Sequence, residues 1–215
     1  MADLLLSGIN KYIKKNHVLK DIHLSLDAGQ IYGFYGRNGS GKTMLFKVLS
    51  GLVIPDSGHV VAFGQELQKD VSFPPEMGIL FDRVGLWPQY TGYKCLQLLA
   101  SIRNVASEQD MQTAMDRVGL DWRDRRTFRQ YSLGMKQKLL IAQAIMEKPR
   151  LLVLDEPTNS LDEATVNGFR AILNEERQRG ALILMASHNK EDIRLLCDDI
   201  FLMEEGRCSH AEGGI

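Results

Sequence analysis

The segment Gly36-Arg37-Asn38-Gly39-Ser40-Gly41-Lys42-Thr43 restricts the possible folds of this chain more than any other. A glycine, four residues and then Gly-Lys-Thr form the pattern of a loop whose main chain wraps a phosphate. Glycines let the backbone curl until successive N–H groups point inward at one anion. A helix that starts at the end of the loop adds its positive N-terminus. Both neighbours are of the required kind. Ile31 to Tyr35 is apolar or aromatic except at Gly33 and reads as a buried strand, and Lys42 to Leu49 reads as a helix that stops around Gly51. That strand–loop–helix context separates the segment from a glycine-rich surface turn. Lys42 is expected to reach the β and γ phosphates of a nucleotide, and Thr43 to offer its hydroxyl to Mg²⁺.

A second element supplies carboxylates. Leu151-Leu152-Val153-Leu154 runs directly into Asp155-Glu156. A strand that ends in two acids places them at the carboxyl edge of its sheet, where open α/β sheets bind ligands. Asp155 is expected to hold Mg²⁺ through water, and Glu156 to orient or deprotonate an attacking water. Alone, such an ending usually marks where a strand meets solvent. Beside a phosphate loop it gains meaning.

The remaining pattern is α/β. Ile22 to Leu26 alternates as a half-buried strand does, and Met77 to Phe81 and Leu182 to Ala186 are further strand candidates. From about Tyr93 to Lys148 the periodicity is helical, in Tyr93 to Arg103, Glu108 to Val118 and Ser132 to Glu147, with a connector rich in arginine (Arg123, Arg125, Arg126, Arg129) and Pro149 beyond the last helix. A helical lobe of roughly 50 residues therefore interrupts the α/β part. A net charge of −1 gives no sign of nucleic acid or anionic lipid. Three cysteines without a CxxC pair speak against a disulfide framework or zinc site. The opening residues are too short and lack the basic leader of a signal peptide, and no apolar run approaches the roughly 20 residues of a membrane span. A soluble chain is expected, any membrane role being lent by a partner.

Taken together and in order, these segments resemble the ABC ATPase family. The resemblance runs from about Leu6 to Arg207 and rests on Val18-Leu19-Lys20-Asp21-Ile22, the phosphate loop, Gly51-Leu52-Val53-Ile54-Pro55-Asp56-Ser57-Gly58, Tyr131-Ser132-Leu133-Gly134-Met135-Lys136-Gln137, Asp155-Glu156-Pro157-Thr158-Asn159-Ser160-Leu161-Asp162 and Ser187-His188. It implies one domain over 1–215: a P-loop NTPase core with an antiparallel β subdomain (about 1–82 and 149–215) and an inserted α-helical subdomain (about 83–148). It implies ATP and Mg²⁺ as cofactors, with Tyr12 stacking on adenine and Gly36, Asn38, Gly39, Ser40, Gly41, Lys42, Thr43 and Met44 holding the nucleotide. Ser132, Leu133, Gly134 and Met135 resemble the signature that caps ATP bound to a second subunit. Asp162 resembles the loop residue that communicates across that dimer, and His188 the histidine that senses the γ-phosphate beside the catalytic Glu156. The implied partners are a second nucleotide-binding subunit, identical or related, and a separate transmembrane permease that would hold the chain at the cytoplasmic face.

Two places depart from the family's usual residues. The signature commonly reads Ser-Gly-Gly-Gln, whereas here Leu133 and Met135 flank Gly134; Ser132 and Gly134 keep the phosphate chemistry, and Leu133 and Met135 are expected to pack. Where the family has a glutamine that senses Mg²⁺, this chain has Asp82, a residue that can bind metal but, when ionised, donates no hydrogen bond. These departures, with Tyr90-Thr91-Gly92-Tyr93, resemble the branch of bacitracin-resistance and lantibiotic-immunity ATPases, which implies export of a peptide, antibiotic or drug. The alternative is a soluble ABC ATPase with no transport role. The absence of a heptad run speaks against the DNA-maintenance type, and the single phosphate loop against the two-domain translation type. A module with dead chemistry is disfavoured by the presence of Lys42, Thr43, Asp155, Glu156 and His188 together.

Overall fold

The computed structural model describes residues 2–81 and 85–211. Asp82, the departure at the metal-sensing place, lies outside the described residues.

Two sheets organise the chain. The first is antiparallel, in the order β2-β1-β4-β5. It comprises β1 (Leu4–Ile13), β2 (Asn16–Leu26), β4 (Ser57–Ala62) and β5 (Gln65–Glu66). Its inward row alternates with polar residues, as a sheet with one wet face requires: Leu4, Leu6 and Ile9 from β1, and Leu19, Ile22, Leu24 and Leu26 from β2, are buried. The expected strand over Ile22 to Leu26 is thus the second half of a longer one.

The second sheet has six strands in the order β10-β9-β3-β8-β7-β6. These are β3 (Ile31–Tyr35), β6 (Met77–Leu80), β7 (Leu151–Asp155), β8 (Leu182–Ser187), β9 (Asp199–Glu204) and β10 (Arg207–His210). All neighbours run parallel except β9 and β10. β7 and β8 are buried on both faces, which explains their unbroken apolar sequence. Leu151, Val153, Leu182, Leu184 and Ala186 face one core, shared with the antiparallel sheet and α1 (Lys42–Leu49). Leu152, Leu154, Ile183 and Met185 face the other, built with the remaining helices. Phe34 of β3 meets Phe46 of α1 edge to face at 5.2 Å, which fixes the helix behind the phosphate loop.

The helical stretch contains α2 (Gly92–Arg103), α3 (Glu108–Arg117) and α4 (Leu133–Ile145). Each starts at a side-chain cap: Thr91 accepts from the Lys94 N–H, Ser107 from Asp110 and Ser132 from Met135. α4 lies directly on β6, for a Cβ at Gly78 would fall 1.9 Å from the Ala144 carbonyl oxygen. α5 (Glu163–Gln178) is joined to α3 by Arg117, which pairs with Glu175 and the buried Glu176, both at 2.7 Å. α6 (Lys190–Leu196) follows β8.

Candidate functional site

The strand order brings the expected residues to one edge. β8 lies between β3 and β7, with Tyr35 opposite Ser187 and Asp155 opposite Ala186. The phosphate loop after β3, Asp155-Glu156 at the end of β7 and Ser187-His188 at the end of β8 are therefore neighbours at the carboxyl ends of parallel strands.

At Gly36 the loop leaves no space for a side chain. A Cβ at Gly36 would fall 2.3 Å from the Met203 carbonyl oxygen and 2.7 Å from Ser40 Oγ. Gly41 adopts φ 112 just before α1. Gly206, in the turn between β9 and β10, supports the loop from behind, donating its N–H to the Ser40 carbonyl at 3.0 Å. Neither Met203 nor Gly206 was indicated by motif; only the strand order brings them here.

Inside the loop Lys42 is 6% exposed. Its Nζ donates to the carbonyls of Gly36 at 2.6 Å and Arg37 at 3.3 Å, and lies 3.9 Å from Glu156 Oε1. Burial pushes this ammonium below its ordinary pKa, and the carboxylates of Glu156 and Asp155 oppose that shift. Ser40 Oγ is buried with no hydrogen-bond partner among the described residues. A cation held on its own loop's carbonyls and an orphaned hydroxyl beside it suit a phosphate. Met44 is half-buried against the core, so its main-chain N–H, one of the first in α1, is what it can offer a ligand. Arg37, Asn38 and Gly39 are exposed at the loop's tip.

Thr43 donates its hydroxyl to Asp155 Oδ2 at 2.7 Å, and Asp155 is 1% exposed. One hydroxyl and one buried carboxylate fit Mg²⁺, a hard ion that takes few protein ligands and completes its shell with phosphate oxygens and water. Among the described residues no cluster of three His, Cys, Asp or Glu side chains could hold a metal alone.

Glu156 stands in the left-handed region, at φ 53, where a residue with a side chain needs outside support. Its N–H donates to the Ala186 carbonyl at 2.8 Å. Its Oε2 lies 2.9 Å from His188 Nδ1 and accepts from Ser187 Oγ at 3.3 Å. With Glu156 ionised, His188 Nδ1 carries the proton and Nε2 is left as an acceptor. Ser187, which carries no motif role of its own, thus holds the carboxylate. So does Gln137, from α4, for the main chain: its Nε2 donates to the carbonyls of Pro157 at 2.8 Å and Glu156 at 3.3 Å.

Tyr12 lies on β1, 48% exposed, and its ring stacks on His17 of β2 at 4.1 Å and 10°. Its neighbourhood is that of the loop, because Val18, next to His17, brings its carbonyl oxygen within 3.2 Å of a Cβ placed at Gly41. His17 is a partner that no sequence pattern announced.

The signature residues stand apart from this cluster. Among the described residues no hydrogen bond or ion pair joins Ser132, Leu133, Gly134 or Met135 to the phosphate loop. Ser132 caps α4, its Oγ accepting from the Met135 N–H at 3.2 Å. Met135 packs against the core, as expected. Leu133 does not pack: it is 70% exposed. The correction has a simple cause. Leu133 is the first residue of α4 and projects from the helix mouth, whereas Met135 lies two residues on, on the side that meets the core. Asp162 caps α5, accepting from the Thr165 N–H at 2.8 Å, and these bonds hold its carboxyl below the ordinary range.

A strand, glycine loop and helix enclosing a lysine, beside a buried acidic strand end, define a nucleotide-binding protein of the P-loop class. Comparison with known proteins narrows the class. The sequence model of the ABC transporter family matches residues 19–159. The chain is 46% identical over 205 residues to the uncharacterized ABC transporter ATP-binding protein YybJ of Bacillus subtilis (strain 168), covering 95% of this chain and 94% of the relative. It is 37% identical over 201 residues to the bacitracin transport ATP-binding protein BcrA of Enterococcus faecalis, covering 93% of this chain but only 65% of the relative's length. The dimeric structure of the ABC transporter cassette MJ0796 superposes with a TM-score of 0.87 at 20% identity, covering 98% of this chain and 99% of that one, which shows the fold. The chain belongs to the ABC transporter family, as one of its ATP-binding proteins.

Proposed function

We propose that this chain hydrolyses ATP to drive a separate membrane permease that expels a peptide or antibiotic, each ATP lying between one subunit's phosphate loop and a partner's signature. The carrying observation is the meeting, at one sheet edge, of Lys42, the Thr43–Asp155 pair and the Glu156–His188 pair. The adenine stacks on the open face of Tyr12, the loop N–H groups and Lys42 hold the β and γ phosphates, and Thr43 with Asp155 would hold Mg²⁺. That ion, when bound, offsets phosphate charge as the bond to the leaving oxygen lengthens. Glu156 accepts a proton from the water that attacks the γ-phosphorus; a new P–O bond forms, the bond to the β–γ bridging oxygen breaks, and ADP and phosphate leave. His188 fixes the Glu156 carboxylate through Nδ1.

Completion by a partner is supported by the place of the signature: Ser132 stands at the N-terminus of α4, where an anion would be favoured, with no hydrogen bond to its own phosphate loop among the described residues. ATP then holds the dimer together and hydrolysis weakens it, which is the difference in free energy that can move a permease. Transport of an antibiotic is supported by the likeness to BcrA, a bacitracin transport ATP-binding protein related over most of this chain. Among the described residues no helix is long and apolar enough to cross a membrane, so attachment to the cytoplasmic face would come through the permease.

The test is co-purification with a permease encoded beside this chain, followed by ATP turnover with and without candidate peptides. Turnover stimulated by a peptide supports the reading. Turnover by the chain with no membrane partner found would favour a soluble ATPase.

A further inference from the structure

Gln137 stands on the second turn of α4, in the same helix as the signature. Its side-chain amide crosses to the turn that carries Glu156, donating to two successive main-chain carbonyls, Pro157 at 2.8 Å and Glu156 at 3.3 Å. An amide NH₂ has two protons and suits two acceptors. The bridged turn is one that needs holding. Glu156 sits at φ 53, and Ser160, a few residues on, at φ 67. Such conformations persist only where the surroundings determine them. On the strand side Glu156 is fixed by its N–H to Ala186. On the helical side Gln137 holds its carbonyl.

A second contact joins the same pieces. The Cβ position of Gly134 lies 3.1 Å from the Ser160 carbonyl oxygen. Met135 and Leu161 pack against one core cluster. The N-terminal turns of α4 are thus tied to the segment from Glu156 to Ser160 by a hydrogen-bonded amide and a close main-chain approach. Through these ties a displacement at Ser132 and Gly134 would reach Glu156 of the same chain.

We propose that Gln137 is a positioning residue that couples the two ATP sites of the dimer: when the signature closes on nucleotide bound by the partner, Gln137 sets this chain's own Glu156 for attack. The inference rests on the trans-completed site proposed above. Gln137 touches neither nucleotide nor water in this scheme; it acts through the Glu156 main chain.

The experiment compares wild type with Gln137→Met, which keeps length and volume but has no donor, and Gln137→Lys, which restores N–H donors. ATP turnover of the purified chain is measured against ATP concentration, with thermal melting alongside. In Gln137→Met, kcat is expected to fall about 10- to 100-fold, the scale of a small misplacement of a reacting group. The Hill coefficient for ATP is expected to fall from about 2 towards 1. KM should stay within about twofold, and the melting temperature within about 2 °C. Gln137→Lys is expected to regain part of both kcat and cooperativity. Unchanged kcat and Hill coefficient in Gln137→Met would overturn the proposal. So would a parallel change in kcat, KM and melting temperature, which is the mark of a general strut. Wild-type turnover is read separately: its absence would remove the ATPase reading itself and this inference with it, whereas a failed Gln137 series on an active wild type removes only the inference.

Discussion

The sheet edge and the start of α4 each present a helix N-terminus, and they differ in what already surrounds them. At the sheet edge Lys42 rests on loop carbonyls, Thr43 on Asp155, and Glu156 on His188 and Ser187. At α4 the equivalent place is exposed: Ser132 caps its own helix and Leu133 points into solvent. The first is a site assembled inside one chain. The second is an exposed helix start, which under the proposed function a partner would complete. On that reading, efficient hydrolysis would need two copies, or two relatives, to meet.

The largest effect should come from the assembled half. Glu156→Gln keeps size and the contact to His188 but removes the base, and ATP turnover is expected to fall about 1,000-fold. ATP binding should survive, so the variant should accumulate as an ATP-bound dimer on size exclusion. Normal turnover would reject Glu156 as the base. Next, Lys42→Ala removes the buried cation from the loop, and ATP affinity measured by calorimetry should drop about 100-fold, as loss of a charge-assisted contact to phosphate implies.

The division itself can be tested by mixing. Lys42→Ala spoils a phosphate loop, and Ser132→Arg spoils a signature. If each site draws on both chains, a mixed dimer has one doubly damaged site and one intact site. For a homodimer, an equal mixture of the two inactive variants should regain about a quarter of wild-type turnover, given random pairing and independent sites. Coupling through Gln137 would lower that value. No recovery at any ratio would mean that the site is not shared in the proposed way. Leu133→Glu is a milder probe. Its side chain is exposed, so stability should change by less than about 0.5 kcal/mol, while ATP-driven dimerisation should weaken about 10-fold because a carboxylate then faces the partner's phosphates. Unchanged dimerisation would place Leu133 outside the interface.

Some of this division was legible in the sequence, for identifiable reasons. A phosphate loop is chemistry written as residue order, so Gly36 to Thr43 could be read directly, as could the buried strand that ends at Asp155. β1 could not: its apolar residues are spread over Leu4 to Ile13 among lysine and asparagine, with register shifts at Leu6 to Ile9 and beyond. β9, β10 and α5 were likewise unread, α5 because its sequence is mostly polar with only Phe169, Ile172, Leu173 and Glu176 turned inward. Residues that act across the fold left the weakest trace. Gln137 to Glu156 and Gly206 to Ser40 join distant parts of the chain, and His17 reaches Tyr12 only across the turn between β1 and β2; nothing in residue order marks which glutamine or histidine will make them. Leu133 and Met135 carried the same expectation, and only the helix's orientation separated them.

The smallest effect lies in the helical stretch that carries the exposed half, and it tests how that stretch is fastened. Asp110, in the first turn of α3, accepts from the Ser107 N–H at 3.0 Å and pairs with Lys148 at 2.7 Å. The Lys148 ammonium first, and then the Ser107 bonds, lower its pKa from 3.8 to about 2. The sign follows: a depressed folded pKa stabilises the fold above the unfolded value, and that contribution is lost as pH falls from about 3.8 to about 2. Solvent screening at this surface limits the contribution to about 1 kcal/mol or less. Asp110→Asn retains a capping oxygen and removes the charge. Urea unfolding should therefore show the variant less stable than wild type at pH 7 and nearly equal near pH 2. A gap that did not close on acidification would assign the contribution to the cap's shape instead of its charge. It would leave Arg117, paired with Glu175 and the buried Glu176 of α5, as the main electrostatic fastening of α3.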